Sequence, residues 1–572
     1  MILQALTRYY EDLAKEGKIS KLGWSKVPVS FALCVNIEGD LEQVIPLLED
    51  RGSKKSLPQL FDLPIPFKRT VGVKPNFICD NSSYMLGADS KGKPERSIDC
   101  FETSKEFHHK LLDGVDSEIA RSILAFFDNW KPDETYSHPA IGSDIESILS
   151  GGNMMFRING VYAYEDEKIR QAWQSFYDKT EGKTQQCLVS GSEDVIEPVH
   201  PSIKGVNGAQ SSGAALVSFN ASAFCSYGQE QNYNAPIGKH ASFAYTSALN
   251  HMLSDYENVK RVGDTTIICW AEGAEPQYRS FIFTALFDDQ SSDISESDLR
   301  NAVGKLAKGL SVPERGLNPN RTFYILGLAP NAARLSVRFF YRDSFGNLMK
   351  NVNEHNERLE IVKPSYDQYD TIPIWRLVNE TVNPNSREKV ANPVMSGAVT
   401  RSVITGNMYP VSLLTQIVLR IRSERDINRF KAAIIKAYYL KNKNKDCPKE
   451  VLTVSLNEES KNVAYTLGRL FSIYEAIQEA ANPGINATIK DKYFNTAAST
   501  PAVIFPILNN LSTKHLRKLS TGQRIMYEKQ LIALAGILGE EYPSRMNLAQ
   551  QGSFYLGYYH QTQRRYEKKE DK

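Results

Sequence analysis

The sequence predicts an α+β protein: a mixed, largely antiparallel α+β body followed by a helical bundle. Three observations carry that assignment. Up to about residue 345, short alternating apolar runs are joined by tight turns and interleaved with amphipathic helical stripes. Between 364 and 400 the composition shifts toward Pro, Asn and Ser, in KPSYDQYDTIPIW and TVNPNSREKVANPVMSGAV. Beyond 400 the strand signals fade and the apolar spacing is helical throughout. A chain of 572 residues exceeds what one core holds, roughly 250 to 300 residues. The expected domains are therefore 1–400 and 401–572, with an internal subdivision of the first near 131–150.

Taken in order, Ile2, Leu3, Leu6, Tyr9, Tyr10 and Leu13 form the stripe of an amphipathic helix that stops at Gly17. Alternation from Val27 to Ile37 predicts a half-buried strand, and Glu38-Gly39-Asp40 turns it into a second strand over 41–48. Residues 103–129 read as one helix ending before Trp130-Lys131-Pro132. A hairpin closes on Asn159-Gly160, and a helix follows over 169–177. Strands are expected at 186–189 and 214–219, a helix at 243–253, and strands at 265–270, 281–286, 322–328 and 335–341, with one more helix after the Ser-rich run near 291. Seven helices then span 411–422, 427–441, 461–481, 488–498, 502–519, 522–538 and 553–565, short-linked as in a bundle.

Composition narrows the class. Apolar residues make up 41% and charged residues 23%, which fits a globular protein rather than a disordered or fibrous one. No apolar stretch of about 18 residues occurs, and the start lacks a basic leader with a hydrophobic run, so a soluble, cytoplasmic protein without membrane contact is expected. The seven cysteines stand singly and read as reduced thiols. Charge is uneven: residues 1–400 carry 42 Lys+Arg against 51 Asp+Glu, and residues 401–572 carry 26 against 15. A basic C-terminal third on an acidic-leaning body suits contact with a polyanion, and equally suits a basic face that serves solubility.

The stretch 200–250 is the least ordinary. Between Lys204 and Lys239 the one formal charge is Glu230, and Gly, Ser, Asn, Gln and Tyr fill the rest. Such a segment is either a turn-rich connector or a surface that recognises a partner through amides, hydroxyls and an aromatic ring. Candidate contacts are Lys204, Asn207, Gln210, Ser211 and Ser212 first, and Asn220, Tyr227, Gln229, Asn232 and Asn234 second. A third group, Lys68, Arg69, Lys74, Asn76 and Asn81, lies in a proline-broken basic segment. Along the bundle, Arg420, Arg422, Arg425 and Arg429 line the first two helices and Lys514, Arg517 and Lys518 the later ones, as candidates for holding a nucleic-acid backbone. Nucleotide-binding glycine loops, zinc-protease, serine-hydrolase and kinase motifs are all missing from the sequence. Adjacent His108 and His109 point about 100° apart on a helix and do not suit one metal ion.

Several runs together carry a resemblance. MILQALTRYYEDL, RTVGVKPNFICDNSSYMLG, the segment from CLVSGSEDV through NGAQSSGAALVSFNASAFCSYGQEQNYNAPIGKHASFAYTSALNHML, GDTTIICWA and FYLGYYHQTQRRY occur in order from Met1 to Tyr566. In them the chain resembles the large subunit of the type I-C CRISPR surveillance complex, Cascade. The resemblance implies a non-enzymatic subunit, with no catalytic residues, metal or cofactor, that sits beside the crRNA 5′ handle with the Cascade backbone and small subunits. Such a subunit reads the protospacer-adjacent motif in double-stranded target DNA, helps start the R-loop, contacts the displaced single strand and supports recruitment of a helicase-nuclease. It also implies that the C-terminal part resembles a Cascade small subunit, made separately from an internal start; in this sequence Met408, the first methionine after the expected boundary, or a non-AUG start near Val451 is the candidate. A short-motif reader needs amide and hydroxyl groups at base edges, and a basic bundle suits single-stranded phosphates. Two other classes stay open: a nuclease with dispersed catalytic carboxylates, and an architectural scaffold.

Overall fold

The computed structural model describes the chain apart from residues 50–56, 68, 70–71, 91–93, 143–144, 180–181, 288–293, 368–369, 540 and 567–572. The fold is α+β, with mixed, largely antiparallel sheets toward the N-terminus and helices toward the C-terminus. Its two compact units are Met1–Pro201 with Ser218–Ala248, and Ser202–Val217 with Leu249–Lys572. The polar stretch is thereby split between them. Residue 400, where a boundary is expected, falls within the helix Pro393–Thr405 of the second unit.

In the first unit, the helix Ile2–Lys15 buries Ala5, Leu6, Tyr9, Tyr10 and Leu13, the stripe read from the sequence. The strand expected over 27–37 is two strands. Ser30 is the pivot, its N–H donating to the Asn153 carbonyl (2.8 Å) and its carbonyl accepting from Leu47 N–H (2.7 Å). Trp24–Val29 pairs antiparallel with Leu57–Pro64 in one sheet. Phe31–Val35 lies at the centre of another, antiparallel to Leu41–Pro46 and parallel to Met154–Ile158. The hairpin at Asn159-Gly160 forms, both residues adopting positive φ (47° and 85°), as a tight two-residue turn requires. The single helix expected over 103–129 is two, Pro94–Leu112 and Glu118–Asn129, because Gly114 turns left-handed and Ser117 caps the second through a hydrogen bond from Ala120 N–H (3.2 Å). Stacked rings of Phe77 and Trp173, with Phe107, Phe126, Phe127 and Phe156, fill the core that the sheet and these helices share. Trp130, Ile141, Ile148 and Leu149 join the same core.

The second unit pairs a four-stranded antiparallel sheet, Lys260–Val262, Thr265–Ala271, Thr322–Asn331 and Arg334–Ser344, with helices. The strand expected at 281–286 is part of the helix Pro276–Phe287. Tyr278, Phe281, Ile282, Phe283 and Leu286 are all buried, and an apolar run closed in on several sides shows no period to distinguish strand from helix. The expected strand at 214–219 is reduced to isolated bridges at Ala214 and Ala215, and that at 186–189 to Thr184–Gln186. All seven C-terminal helices are present within a few residues of the expected bounds. Among the described residues no strand longer than an isolated bridge follows Ser344.

Two helices of this unit, Val463–Ala481 and Leu548–Tyr566, cross at very close range. A Cβ placed on Gly468 would lie 2.0 Å from the Phe554 carbonyl oxygen, and one on Gly557 would lie 2.1 Å from that of Tyr465. Backbone therefore meets backbone at both points. Around the crossing, Phe471, Phe494, Phe554 and Tyr558 pack edge to face or tilted, with centroids 5.0 to 6.1 Å apart.

Four histidines are buried neutral: His108, His200, His355 and His560. His108 donates from Nδ1 to the Ser104 carbonyl (2.7 Å) and accepts from Ile78 N–H at Nε2 (3.0 Å). Each of the others meets a tyrosine hydroxyl, Tyr245, Tyr409 or Tyr465, at 2.5 to 2.8 Å. Burial lowers His108 and His200 to about 4 and His355 and His560 to about 3. The unfolded chain binds protons at these groups below about pH 6.5 while the folded chain does not, so folding stability falls as pH drops through the interval from 6.5 toward 4. Each histidine contributes a slope of up to about 1.4 kcal/mol per pH unit. Thermal unfolding followed from pH 7 to pH 5 should show a steady loss of Tm; a flat profile would contradict the neutral burial.

Candidate nucleic-acid interface

Hydrogen bonds seat the loop Ser202–Val217 of the second unit, alongside the buried side chains of Ile203, Val206 and Ala214. Ile203 and Ala214 exchange backbone bonds at 2.9 and 2.8 Å, closing its neck. Asn250, on the helix Lys239–Ser254, grips one side of the neck: its Oδ1 accepts from Lys204 N–H (2.8 Å) and its Nδ2 donates to the Ser202 carbonyl (3.0 Å). Thr266 Oγ1, from the sheet, accepts from Asn207 N–H (3.2 Å), and Ala215 bonds to both Ala333 and Leu335. Gly205 and Gly213 have φ of 87° and 100°, and a Cβ at either would fall 2.7 Å from Leu253 O or Ser202 Cβ. Only glycine permits that seating. With the backbone pinned, the side chains of Lys204, Asn207, Gln210, Ser211 and Ser212 are all exposed. Two consecutive turns, closed by Ala209 N–H to Val206 O (3.1 Å) and Gly213 N–H to Gln210 O (2.9 Å), carry the last four. The first group of candidates thus forms one rigid, uncharged tip with a lysine at its base.

The second group lies in the first unit and divides by role. Asn232 is buried, 2% exposed, and Asn234 works as a clamp: Oδ1 accepts from Ser226 N–H (2.8 Å), and Nδ2 donates to the carbonyls of Gln229 (3.0 Å) and Gln231 (2.9 Å). Neither is placed to meet a partner, a correction to the expectation from composition, because an amide-rich loop satisfies its own backbone first. Gln229 accepts from Lys183 Nζ (3.0 Å), whose ammonium also lies 5.1 Å from the Tyr233 ring centroid. What the clamp holds out is Tyr227. It is fully exposed, at 100%, with φ of 52°, beside Gly228 at 69°, in a turn closed by Gln229 N–H to Ser226 O (2.9 Å). A tyrosine in left-handed backbone is strained, by on the order of 1 kcal/mol. Asn220 is exposed nearby in sequence.

Of the third group, Lys68 lies outside the described residues. Arg69 turns inward, pairing with the buried Asp80, stacking on Tyr84 at 4.0 Å and donating from Nε to the Lys74 carbonyl (2.7 Å). Asn76 donates its N–H to Asp80 Oδ2 (2.8 Å) and accepts from Phe67 N–H (3.0 Å); Asn81 caps the short helix Ser82–Met85. Burial raises the Asp80 carboxyl against the opposing pull of Arg69 and the Asn76 and Asn81 N–H groups. Arg69, Asn76 and Asn81 are therefore structural, and Lys74 alone of the described four presents an exposed side chain.

The bundle sorts its cations the same way. Arg420 pairs with Glu424 (3.3 Å), Arg429 with Asp367 (3.0 Å) and the Asp370 carbonyl (3.1 Å), and both are buried. Lys431 is closed against Glu424, and Lys436 donates to the Arg358 carbonyl (3.0 Å), burial lowering it to about 8. A buried, paired guanidinium cannot reach a phosphate, so Arg420 and Arg429 leave the candidate set. Arg422 donates to Gln551 Oε1 (2.6 Å). Arg425, Lys514, Arg517 and Lys518 remain exposed. Two cationic or donor side chains that sequence reading passed over, Lys492 and His515, line one groove with Arg425. Their only sequence signal is the basic-aromatic pair Lys492-Tyr493.

These parts present an uncharged, hydrogen-bonding tip and scattered exposed cations. A family match supplies the class, a CRISPR-associated, Cascade-type subunit. A family model described as CRISPR-associated protein (Cas_Csd1) matches residues 6–566, and the chain belongs to that family. Family membership implies a multi-subunit complex with other CRISPR-associated proteins. No curated protein matches the sequence. Among the described residues no helix is long and apolar enough to cross a membrane.

The clamp can be tested directly. Asn234→Ala removes one acceptor and two donors from the turn and should speed limited proteolysis within 221–231. Tyr227→Gly should leave cleavage slow and raise stability by up to about 1 kcal/mol, because glycine suits the left-handed backbone. Equal cleavage of Asn234→Ala and the parent would contradict the clamp.

Proposed function

We propose that this chain is the non-catalytic large subunit of a type I-C Cascade, and that the tip formed by Asn207, Gln210, Ser211 and Ser212 reads the protospacer-adjacent motif in target duplex. The observation that carries the reading is the contrast at the tip: backbone fastened to a sheet and a helix, side chains exposed and free of charge. Base-edge recognition needs donors and acceptors held in place, since each amide must meet a defined pair of atoms. Lys204 at the base of the tip suits a neighbouring phosphate. Tyr227, on its own clamped turn in the first unit, suits stacking on an unpaired base as the R-loop opens. Exposed cations of the bundle then hold single-stranded phosphates, the crRNA 5′ handle is held with partner subunits, and a helicase-nuclease performs the cutting.

Two further features support the assignment. Guide pairing reads most of the target in such systems, leaving the protein a short motif and backbone contacts, which matches one small polar tip. Of the two internal starts, Met408 fits a separate small subunit better. It lies in the connector between Pro393–Thr405 and Val411–Glu424, so its product keeps Arg429–Asn442, whose Ile435 and Tyr439 seat Gly552. A start near Val451 discards that helix.

In the assembled complex, Gln210→Ala with Ser211→Ala and Ser212→Ala should weaken binding of motif-bearing duplex by about 10- to 100-fold, from about 1–3 kcal/mol of lost base discrimination. A target already opened at the motif-proximal end should bind as before. Unchanged duplex affinity would remove the tip from motif reading. Metal-dependent DNA cleavage by the purified chain would favour the nuclease reading instead.

A further inference from the structure

One groove in the second unit is unexplained by the packing around it. It lies where the end of the helix Val411–Glu424 meets the last turn of Val463–Ala481, the start of Ile489–Ser499 and the second half of Pro501–Leu516. Arg425, Lys492, Tyr493 and His515 line it.

Three of these groups keep donors that the packing around them does not use. Arg425 follows its helix in left-handed backbone, φ 54°, and among the described residues it has no acidic partner. The neighbouring Asp426 is taken by Lys490 at 2.5 Å. Lys492 likewise has no acidic partner among the described residues, and its ammonium lies 5.0 Å from the Tyr493 ring centroid. The tautomer of His515 follows from its surroundings. Asn482 Oδ1 accepts from Lys518 Nζ (3.1 Å) and Nδ2 donates to the Gln478 carbonyl (3.0 Å), which fixes the orientation of the amide. The contact from that Nδ2 to His515 Nδ1 (3.3 Å) makes Nδ1 the acceptor, so Nε2 carries the proton and is a donor. The carboxylate in the lining, Asp491, is engaged as a cap, accepting from Thr488 N–H (2.8 Å).

We infer that this groove binds the sugar-phosphate backbone of a single nucleic-acid strand. Arg425, Lys492 and His515 Nε2–H hold phosphodiester oxygens, and the Tyr493 ring offers a face to an unpaired base. Two cations and an imidazole N–H around one open groove match an extended anion. The aromatic ring distinguishes a single strand from a duplex, whose bases are already stacked. The inference rests on the reading of the chain as a Cascade subunit and names where, within the bundle, the strand is held.

The test uses the assembled complex carrying Arg425→Gly and Lys492→Gln. Glycine suits the left-handed position and glutamine suits an exposed helix, so both changes remove charge without straining the fold. Affinity for a pre-opened target should fall at least tenfold at physiological salt. The slope of log K against log salt should become shallower by about 1.4, from about 0.7 for each lost single-strand phosphate contact. The preference for motif-bearing over motif-less duplex should persist. Tyr493→Ala should weaken the pre-opened target more than Tyr493→Phe. Guide RNA retained in the purified complex separates the two sources of the strand: depletion assigns the groove to crRNA, and full retention with weakened target assigns it to DNA. Unchanged affinity and slope, with the tip variants still losing motif preference, would overturn the groove alone. A parental complex that binds neither nucleic acid would overturn both readings.

Discussion

The second unit depends on a contact that tolerates no side chain. At Gly468 and Gly557 the helices Val463–Ala481 and Leu548–Tyr566 touch through their backbones, so the pair sits closer than any larger residue allows. Everything that gives the bundle its surface is set from that crossing. Arg429–Asn442 packs on it through Gly552, Ile489–Ser499 through Phe494, and Pro501–Leu516 through the contact of Phe505 with Tyr474. Because close packing in a core transmits displacement rather than absorbing it, the positions of Arg425, Lys492 and His515 are consequences of two glycines that touch none of them.

Charge in this unit is sorted by depth. The sequence shows a basic third, and half of its most regular cluster is closed inside. Arg420 and Lys431 meet Glu424, Arg429 meets Asp367, and Lys436 meets a carbonyl. Removing one partner of such a buried pair leaves an uncompensated charge, so these residues report on folding rather than binding. The exposed remainder is what a polyanion could meet. The polar stretch is sorted in the same way: Asn232 and Asn234 organise backbone, while Gln210, Ser211, Ser212 and Tyr227 are held outward.

Much of this was legible in the residues. Amphipathic stripes located the first helix and all seven C-terminal ones, and turn chemistry at Asn159-Gly160 located a hairpin, because these features are local. The α+β class followed from them. Illegible were features decided by distant partners. The run over 281–286 is helical because it is buried on several sides, which erases its period. Arg429 is buried because Asp367, 62 positions earlier, comes to meet it, and a helix face of arginines looks the same in sequence whether or not such a partner arrives. The polar composition of the tip agrees with its exposure, yet the split of the polar stretch between two units has no sequence signal at all.

On the proposed function, a rigid amide-bearing tip inspects duplex and the bundle holds what has been opened. The tip is central, since a short motif must be read before any strand is freed. A photoactivatable cross-linker at position 210, in the assembled complex presented with motif-bearing target duplex, tests that claim most directly. The account predicts DNA adducts confined to the motif and the few base pairs beside it, and their loss when the motif is scrambled. Adducts spread evenly along the duplex, or formed with protein alone, would contradict it.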